Sequence, residues 1–557
     1  MRQRADSGAA GEFLLANAGS GSKDFGMSDQ ADVVVIGAGV AGLCALHRLR
    51  QLGLTVRVLE SGKDVGGVWY WNRYPGARFD SESYTYCYSF SQELLDEWDW
   101  HERFAAQPEI LAYLNHVADR FDLRRNICFE TRVVSAHYDA HDSSWLIETD
   151  RGHRVRARYL VTAVGGLSAY QFPAIEGIES FAGESYHTAR WPSDAVSLAG
   201  KRVAVIGTGA TGVQVIQTIA SEVAHLTVFQ RTANYCVPQR NAPLTQDERL
   251  DIKRRYPGIF AKCRESYGGF IHNFDPRSAH EVSSGEREAK FESLWSQPGF
   301  AFWMANFRDL MMDPSVNAWA SEFVKRKIRE RVRDPLTAAK LMPEHPFGTK
   351  RVPLENGYYE VYNQEHVELV DLRESPIERI TPAGIQTRQG EHRLDVIVFA
   401  TGFDAVTGSL TSIDIRGRDG KSLRDKWRGG LKTYLGLQVE GFPNLFMIAG
   451  PHNAATLCNA VRCTEQNVEW ISECIQNMRK NGAVHIAATA EAEAAWTSHV
   501  HEVADATLLR VMTDSWFFGA NTPGKQRSVA IYAGGAAAFR ERCDEVARRG
   551  YEGFELR

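Results

Sequence analysis

Two stretches of the chain share one pattern of apolar strand, glycine-rich turn, amphipathic helix and second strand. The first, DVVVIGAGVAGLCALHRLRQLGLTVRVLE, begins at Asp32. Its β-branched run at 33–36 predicts a buried strand, and apolar residues at helical spacing over 41–52 predict a helix. The second, KRVAVIGTGATGVQVIQTIASEVAHLTVFQR, spans 201–231. We interpret the two as one supersecondary unit used twice, because no shorter repeat of the solenoid kind is visible.

The pattern changes after the second stretch. Residues 238–346 combine charged helical sequence such as SEFVKRKIRERVRD with aromatic patches, which predicts a helical insertion. Strand-like sequence returns at HVELVDL and LDVIVFATGF, and a helix is predicted over 463–480. We therefore predict an α/β fold of two Rossmann-like dinucleotide-binding domains with a helical insertion.

The predicted boundaries make both domains discontinuous. Residues 1–26 are rich in Gly, Ser and Ala, and their only apolar run, FLL, is too short for the core of a signal peptide. We predict that they are a disordered leader or an expression remnant. The other predicted ranges are 27–170 and 395–557 for the first dinucleotide-binding domain, 171–237 and 347–394 for the second, and 238–346 for the insertion.

Composition excludes several classes of protein. Hydrophobic residues make up 44% of the 557 residues and charged residues 24%, a balance typical of globular proteins. The net charge of −5 argues against a nucleic-acid partner, and no apolar run reaches the ~18–20 residues of a membrane span. The nine cysteines lack metal-ligand spacing, so we predict no metal site and reduced thiols in a cytoplasmic protein.

The first turn has the form of a dinucleotide fingerprint. It comprises Gly37, Gly39 and Gly42. Such glycines permit a tight turn and close backbone approach to a pyrophosphate, whose charge the helix N-terminus favours. Glu60 closes the second strand, where a carboxylate can accept both hydroxyls of a free ribose. The GGVW sequence that follows contains Gly67 and Trp69, and it predicts either a second backbone approach to the pyrophosphate or a turn without a ligand.

The second turn predicts a different nucleotide. It comprises Gly207, Thr208, Gly209 and Gly212. Its second strand ends in Gln230-Arg231 instead of an acid, and a guanidinium can bind a 2′-phosphate that a carboxylate would repel. This indicates NADP, with a solvated surface role for Arg231 as the alternative. Two such sites in one chain indicate FAD and NADPH exchanging hydride.

The sequence FAGESYHTARWP resembles the fingerprint FxGxxxHxxxWP of type I Baeyer–Villiger monooxygenases. Its defined positions are Phe181, Gly183, His187, Trp191 and Pro192. The segments GGVWYWNRYPGARFDSES, KRVPLENGYYEVYN, ATGFD and SWFFGANTPGK agree with the family as well. The resemblance runs from about Asp32 to the C-terminus and is nearest to the branch of phenylacetone and steroid monooxygenases.

The resemblance implies an activity and its catalytic pair. In this family NADPH reduces the flavin, O2 adds to it, and the resulting peroxyflavin attacks a ketone carbonyl to give an ester or lactone. By resemblance, Arg351 is the permanently charged partner of the anions formed, and Asp80 is the carboxylate that orients it. A structural salt bridge is the alternative for this pair.

The resemblance also implies roles for other residues. Lys350 would supplement Arg231 and Thr232 at the 2′-phosphate, and Trp516 would reach the nicotinamide ribose from a mobile loop. A solvated lysine and a core tryptophan are the alternatives. His187 is expected to couple NADP binding to domain movement, while Trp191 and Pro192 stiffen the linker, since proline fixes φ.

Two segments depart from the family pattern. Phe79 stands before Asp80, where relatives often carry a smaller residue, so packing beside the flavin is expected to differ. PHNAATLCN at 451–459 replaces a Gly-Ser-Pro pattern and is expected to contribute to the substrate pocket. The aromatic sequence at 267–274 and 300–307 is expected to pack the insertion or to line that pocket.

Three other classes of protein share parts of this sequence pattern. A flavin-dependent N- or S-oxygenase would share both fingerprints, but it needs no equivalent of Arg351, and sulfoxidation is expected as a side activity. A disulfide reductase needs a close redox-active cysteine pair, and Cys44 and Cys87 are not close in sequence. A non-catalytic NADP-binding regulator would bind both cofactors without ketone-stimulated NADPH consumption.

Overall fold

The first sheet contains the first glycine turn. The computed structural model describes residues 29–512, 515–520, 522 and 524–557, so the predicted leader lies outside the described residues. The strands of this sheet are β1 (Gln30–Ile36), β2 (Val56–Leu59), β3 (Ile127–Cys128), β4 (Val133–Asp139), β5 (Ser144–Thr149), β6 (Arg154–Thr162), β17 (Asp414–Arg416) and β18 (Leu445–Met447). Their order within the described residues is β17-β4-β5-β6-β1-β2-β3, and β18 pairs with β6. The pairs β1–β2 and β1–β6 are parallel, as a Rossmann unit requires.

The second sheet contains the second glycine turn. Its strands are β7 (Glu184–His187), β8 (Arg202–Ile206), β9 (His225–Gln230), β12 (Val367–Asp371) and β16 (Val396–Phe399). They lie in the order β12-β9-β8-β16-β7, and every pair is parallel. Smaller ladders are formed by β10 (Val237–Pro238) with β11 (Leu354–Glu355), by β13 (Ile377–Thr381), β14 (Gly384–Thr387) and β15 (Gly390–Arg393), and by β19 (Ile486–Ala488) with β20 (Phe554–Leu556).

Helices cover both sheets and fill the insertion. They are α1 (Val40–Gln51), α2 (Val68–Trp71), α3 (Gln92–Glu97), α4 (Gln107–Arg120), α5 (Ala210–Ile219), α6 (Gln246–Glu265), α7 (Ser284–Trp295), α8 (Ala301–Met304), α9 (Pro314–Arg331), α10 (Pro335–Leu341), α11 (Tyr358–Val361), α12 (Gly408–Thr411), α13 (Leu423–Lys426), α14 (Ala460–Lys480), α15 (Ala490–Asp505) and α16 (Ala536–Arg548). Helix α14 begins before the predicted residue 463 because Asn459 caps it. Helices α6 to α10 form the predicted helical insertion.

One predicted boundary is wrong. We predicted that residue 395 begins the return to the first domain. Strand β16 instead lies between β8 and β7 in the second sheet, with Val396 opposite Val203 and Glu184. The reason is that a four-residue apolar strand carries no information about which of two similar sheets will bury it. The chain returns to the first sheet only after Phe399.

The insertion shares a hydrophobic core with the second sheet. Buried Val205 of β8 belongs to the same cluster as Phe302 and Phe323 of the insertion. The rings of Phe302 and Phe323 stack with centroids 5.3 Å apart. The insertion is therefore fixed to the second sheet through apolar contacts, the dominant favourable term in folding.

The cysteines differ in part from the expectation of reduced thiols. Cys458 and Cys463 are paired as a disulfide at the start of α14, and the other seven are free. Across the described residues, no helix is both long and apolar enough to cross a bilayer.

Candidate active site

The first glycine turn brings backbone into contact with backbone. Gly37 has φ of +103°, and a Cβ there would lie 2.6 Å from the carbonyl oxygen of Ala163. A Cβ on Gly42 would lie 1.8 Å from the oxygen of Gly37. Both positions exclude any larger residue, and together they hold the N-terminus of α1 against the strand ends, at the position predicted for a pyrophosphate.

Glu60 and the GGVW segment complete this turn. The buried Glu60 carboxylate accepts hydrogen bonds from the backbone N–H of Ala38 at 2.7 Å and of Gly62 at 2.6 Å. A Cβ on Gly39 would lie 3.2 Å from Cα of Gly67. The two glycine segments therefore meet each other at the predicted pyrophosphate position.

Trp69, which follows the GGVW glycines, belongs to a cluster of buried aromatic side chains. Its indole Nε1 donates to the hydroxyl of Tyr86 at 3.2 Å. Phe79, the departure from the family pattern, stacks on Tyr86 with ring centroids 4.4 Å apart and meets Trp69 edge-on at 5.9 Å. Phe79 therefore adds a third ring to a buried aromatic wall that ends at Asp80.

The second glycine turn is packed in the same way but leaves more space. A Cβ on Gly207 (φ +110°) would lie 2.5 Å from the oxygen of Ala400, and one on Gly212 would lie 2.1 Å from that of Gly207. A Cβ on the exposed Gly209 would meet no described atom within 4 Å. The Thr208 hydroxyl donates to the carbonyl of Thr232 at 3.0 Å. This hydrogen bond brings the end of β9 to the glycine turn.

The predicted phosphate-binding residues come from two segments that lie side by side. Arg231 is exposed directly after β9, and Thr232 and Lys350 are partly buried. The Asn234 side-chain amide donates to the backbone carbonyl of Arg351 at 3.0 Å. This hydrogen bond fixes the segment that contains Lys350 alongside the segment that begins at Arg231.

Arg351 and Asp80 meet in a largely buried ion pair. Nη2 of Arg351 lies 3.4 Å from Oδ2 of Asp80, and the Arg351 guanidinium lies 4.6 Å from the ring centroid of Phe300 and 5.9 Å from that of Trp303. Burial raises the pKa of Asp80 to about 6, against the opposing effect of Arg351. The Oδ1 atom of Asp80 is buried and accepts no hydrogen bond from the described residues, so one carboxylate oxygen remains able to bind a ligand.

A small apolar cavity of about 30 Å³ shares one wall residue, Trp303, with the surroundings of this pair. Its lining residues are Tyr267, Phe274, Trp303, Met304, Met311, Gly348, Leu457, Thr507, Leu509 and Phe517. Trp303 belongs both to this wall and to the surroundings of Arg351. Leu457 of PHNAATLCN lines this cavity, and the role of that segment in the substrate pocket stays a prediction. Some residues of the aromatic segments at 267–274 and 300–307 therefore line this cavity, whereas Phe270 and Phe307 pack in the hydrophobic core.

The linker motif lies apart from this pair and supports the second sheet. His187 ends β7; its Nδ1 accepts the backbone N–H of Ala189 at 3.1 Å, and burial lowers its pKa to about 4. Phe181 packs against a core cluster of the second sheet, and a Cβ on Gly183 would lie 2.5 Å from the carbonyl oxygen of Asp395. Trp191 is buried, and Pro192 lines a surface cleft of about 680 Å³.

Trp516 lies between two core clusters. Its partly buried side chain packs against both clusters of the first sheet, and its ring meets that of Phe517 at 4.5 Å. Lys525, in the same segment, forms an ion pair with Asp404. Residues 513, 514, 521 and 523 of this segment lie outside the described residues.

Sequence reasoning missed two contributors to the site. Phe300 stacks on the Arg351 guanidinium, and Asn234 holds the Arg351 backbone. The only sequence signal for Phe300 was the aromatic patch itself, which predicts core packing equally well. Among the described residues, no group of three metal-ligating side chains is placed to hold a metal ion.

Comparisons with known proteins agree with this geometry. The family model for pyridine nucleotide-disulphide oxidoreductases matches residues 34–248. A Baeyer–Villiger monooxygenase of Pseudooceanicola batsensis is 45% identical over 523 residues, 93% of this chain and 95% of that protein. A phenazine N-monooxygenase of Lysobacter antibioticus is 44% identical over 528 residues, 94% of this chain and 97% of that protein.

Solved structures give the same result. The structure of an oxidised steroid monooxygenase bound to NADP matches with a TM-score of 0.91 at 48% identity, over 95% of this chain and 99% of that one. The identity and the coverage confirm the predicted resemblance over almost the whole chain. The chain belongs to the Baeyer–Villiger monooxygenases.

Proposed function

We propose that this protein is an NADPH- and O2-dependent flavin monooxygenase that inserts one oxygen atom beside a ketone carbonyl and releases an ester or lactone. The observation that carries the proposal is the largely buried Arg351–Asp80 pair, whose surroundings share Trp303 with an apolar cavity. It places a permanent positive charge where an anionic oxidant and a neutral ketone would meet.

The chain's own residues fit FAD at the first glycine turn. The turn offers backbone N–H groups at the start of α1 that no side chain caps, which suits a pyrophosphate. The missing Cβ atoms at Gly37 and Gly39 let this turn pack closely against Ala163 and Gly67. The Glu60 carboxylate accepts from two backbone N–H groups and from the Ser61 hydroxyl at 3.4 Å. Because a carboxylate offers about four lone-pair sites, it can also accept from ribose hydroxyls.

NADPH fits the second turn. Gly209 is exposed and unobstructed at the N-terminus of α5, which suits a pyrophosphate. Arg231 and Thr232 follow β9, and the Asn234–Arg351 hydrogen bond holds the segment of Lys350 alongside them. A 2′-phosphate would bind there through charge-assisted hydrogen bonds. Trp516 is proposed to reach the nicotinamide ribose, and His187 to couple nucleotide binding to movement of the linker.

The residues around the reacting atoms have separate roles. Bound FAD supplies the redox chemistry, taking hydride from NADPH and delivering one oxygen atom of O2 to the ketone. Arg351 stabilises negative charge that develops in the pocket, because its guanidinium stays protonated in the working pH range. Asp80 holds the guanidinium in place and limits its net charge, and the cavity wall excludes water.

Product analysis with labelled oxygen tests this function. The purified FAD-loaded enzyme would be incubated with NADPH, ¹⁸O2 and linear, cyclic, aryl and steroidal ketones. We expect an ester or lactone that contains one ¹⁸O atom, with NADPH consumed in proportion. NADPH oxidation that is unaffected by every ketone and yields only peroxide would contradict the proposal.

A second candidate is oxygenation at nitrogen or sulfur. The phenazine N-monooxygenase at 44% identity shows that this scaffold accommodates a different oxygen acceptor. Aromatic N-heterocycles and sulfides in the same incubation separate the two functions. Faster turnover of an N-heterocycle than of every ketone would favour N-oxygenation.

The proposed setting is the cytoplasm. Seven of the cysteines are free, six of them buried, which suits a reducing compartment. Fractionation of the source cells tests the location. The ketone and O2 are the proposed small-molecule partners.

A further inference from the structure

The guanidinium of Arg190 lies between two aromatic rings. Its Cζ atom is 4.1 Å from the ring centroid of Trp71 and 4.7 Å from that of Tyr170. Both distances lie within the ~6 Å range of cation–π attraction. Nη1 of Arg190 also donates to the carbonyl of Ala189 at 2.9 Å, so the arginine is held at its own backbone as well.

The three side chains belong to three different parts of the molecule. Trp71 ends α2, close to the glycine segment of the first turn. Tyr170 lies on the connection from β6 of the first sheet to β7 of the second, and it pairs with Phe403 in an isolated β-bridge. Arg190 follows β7 and occupies an undefined position of the linker motif. One side chain therefore joins both dinucleotide-binding units and the connection between them.

Partial burial strengthens this contact. Arg190 and Trp71 are both partly buried, whereas Tyr170 is 37% exposed. Because the charge is partly removed from water, burial lowers the pKa of Arg190 below that of a free guanidinium. Cation–π attraction is strongest for such desolvated cations.

We propose that Arg190 is a positioning residue that fixes the second dinucleotide-binding unit against the first during hydride transfer. The rings of Trp71 and Tyr170 enclose its guanidinium. Through Arg190 the linker motif contacts the first dinucleotide-binding unit. The inference rests on the proposed function, because it takes the first unit to hold FAD and the second to hold NADPH.

The test compares Arg190→Ala with a matched control. Arg287 lies over the ring of Trp319 at 3.6 Å, inside the insertion, so Arg287→Ala removes a cation–π contact that joins no units. In the FAD-loaded enzyme we expect Arg190→Ala to slow flavin reduction at saturating NADPH by about 2- to 30-fold. We expect Arg190→Lys to recover part of that loss, and Arg287→Ala to leave the rate unchanged.

Hydrogen exchange supplies a readout independent of turnover. In FAD-loaded enzyme without nicotinamide, we expect backbone amides of 164–174 and 184–191 to exchange faster in Arg190→Ala, with the core of β1 and β8 unaffected. If Arg190→Ala does not fold, Tyr170→Leu and Arg190→Lys take its place, with smaller expected effects in the same direction.

Two results would overturn the inference. One is a rate of flavin reduction in Arg190→Ala, or in the replacement variants, equal to that of Arg287→Ala. The other is strict additivity between Arg190→Ala and Trp71→Leu, because contacting partners should couple. Flavin reduction precedes any encounter with ketone, so a failure to form ester would contradict the proposed function and leave this measurement intact.

Discussion

The side chain of Arg351 has three different kinds of neighbour. It meets the Asp80 carboxylate, the face of the Phe300 ring, and Trp303, which also walls the apolar cavity. Sequence spacing could not predict the ion pair, since its partners are 271 residues apart, and only the family resemblance joined them. Phe300 was not singled out because an aromatic residue that packs a core and one that supports a cation look the same in sequence.

The raised pKa of Asp80 predicts a pH dependence. Because burial raises that pKa to about 6, Asp80 loses its charge as the pH falls through this value. We expect the rate of ester formation at saturating NADPH and ketone to show an inflection near pH 6. Asp80→Asn should lack the inflection, and its retention in this variant would contradict the assignment.

The same shift has a consequence for stability. The pKa of Asp80 lies higher in the folded protein than its ordinary 3.8, so the folded state binds the proton more tightly. The contribution of Asp80 to the free energy of unfolding therefore falls as the pH rises from about 4 to about 6. Urea unfolding of the wild type and of Asp80→Asn across that window measures the difference.

Arg231 predicts the nucleotide preference. A charge-assisted contact with the 2′-phosphate contributes about 1.5–3 kcal/mol. We expect Arg231→Gln to lower the preference for NADPH over NADH by about 10- to 100-fold, mainly through KM for NADPH. The exposed Arg254 of α6 supplies the control, since Arg254→Gln should leave the preference unchanged. An unaltered preference for NADPH in Arg231→Gln would show that Arg231 is a solvated surface residue with no role in nucleotide binding.

At the scale of elements, the glycine turns were the most predictable parts of the fold. Their sequence predicted strand, turn and helix correctly because each glycine meets a local steric requirement. A Cβ on Gly42, for example, would collide with the backbone of Gly37. The boundary at 395 failed for the opposite reason. Strand β16 is uniformly apolar and buried, so its sheet is chosen by tertiary packing and not by its own pattern.

Two glycines of the second turn should respond differently to alanine. A Cβ on Gly209 would meet no described atom within 4 Å, and its φ of −76° at the N-cap of α5 is one that alanine adopts without strain. The fold should therefore accept Gly209→Ala, whereas Gly212→Ala places Cβ 2.1 Å from the carbonyl oxygen of Gly207.

The expected outcomes separate folding from binding. We expect Gly209→Ala to keep the melting temperature but to raise KM for NADPH about tenfold or more, because its methyl group blocks close approach of the pyrophosphate. We expect Gly212→Ala to lower the free energy of unfolding by more than about 2 kcal/mol. Calorimetry and NADP titration measure both, and equal behaviour of the two variants would contradict the assigned geometry.

At the scale of the whole molecule, the insertion packs on the second sheet and also contributes to the surroundings of Arg351. Phe302 and Phe323 share a core with Val205, while Phe300, two residues from Phe302, supports Arg351. The sequence predicted a helical insertion but not this double role, because contacts between residues far apart in the chain do not alter the periodic pattern of hydrophobic residues. Similarly, Arg190 occupies an undefined position of the linker motif, and only the folded chain shows that it joins Trp71 to Tyr170.

The central claim is that Arg351 acts in oxygen insertion and not in hydride transfer. Stopped-flow reduction of FAD-loaded Arg351→Ala by NADPH, followed by product analysis with a ketone and O2, tests it most directly. We predict flavin reduction within a few-fold of wild type and a loss of ester of about 100-fold or more. A normal yield of ester from a variant with full FAD content would contradict the claim.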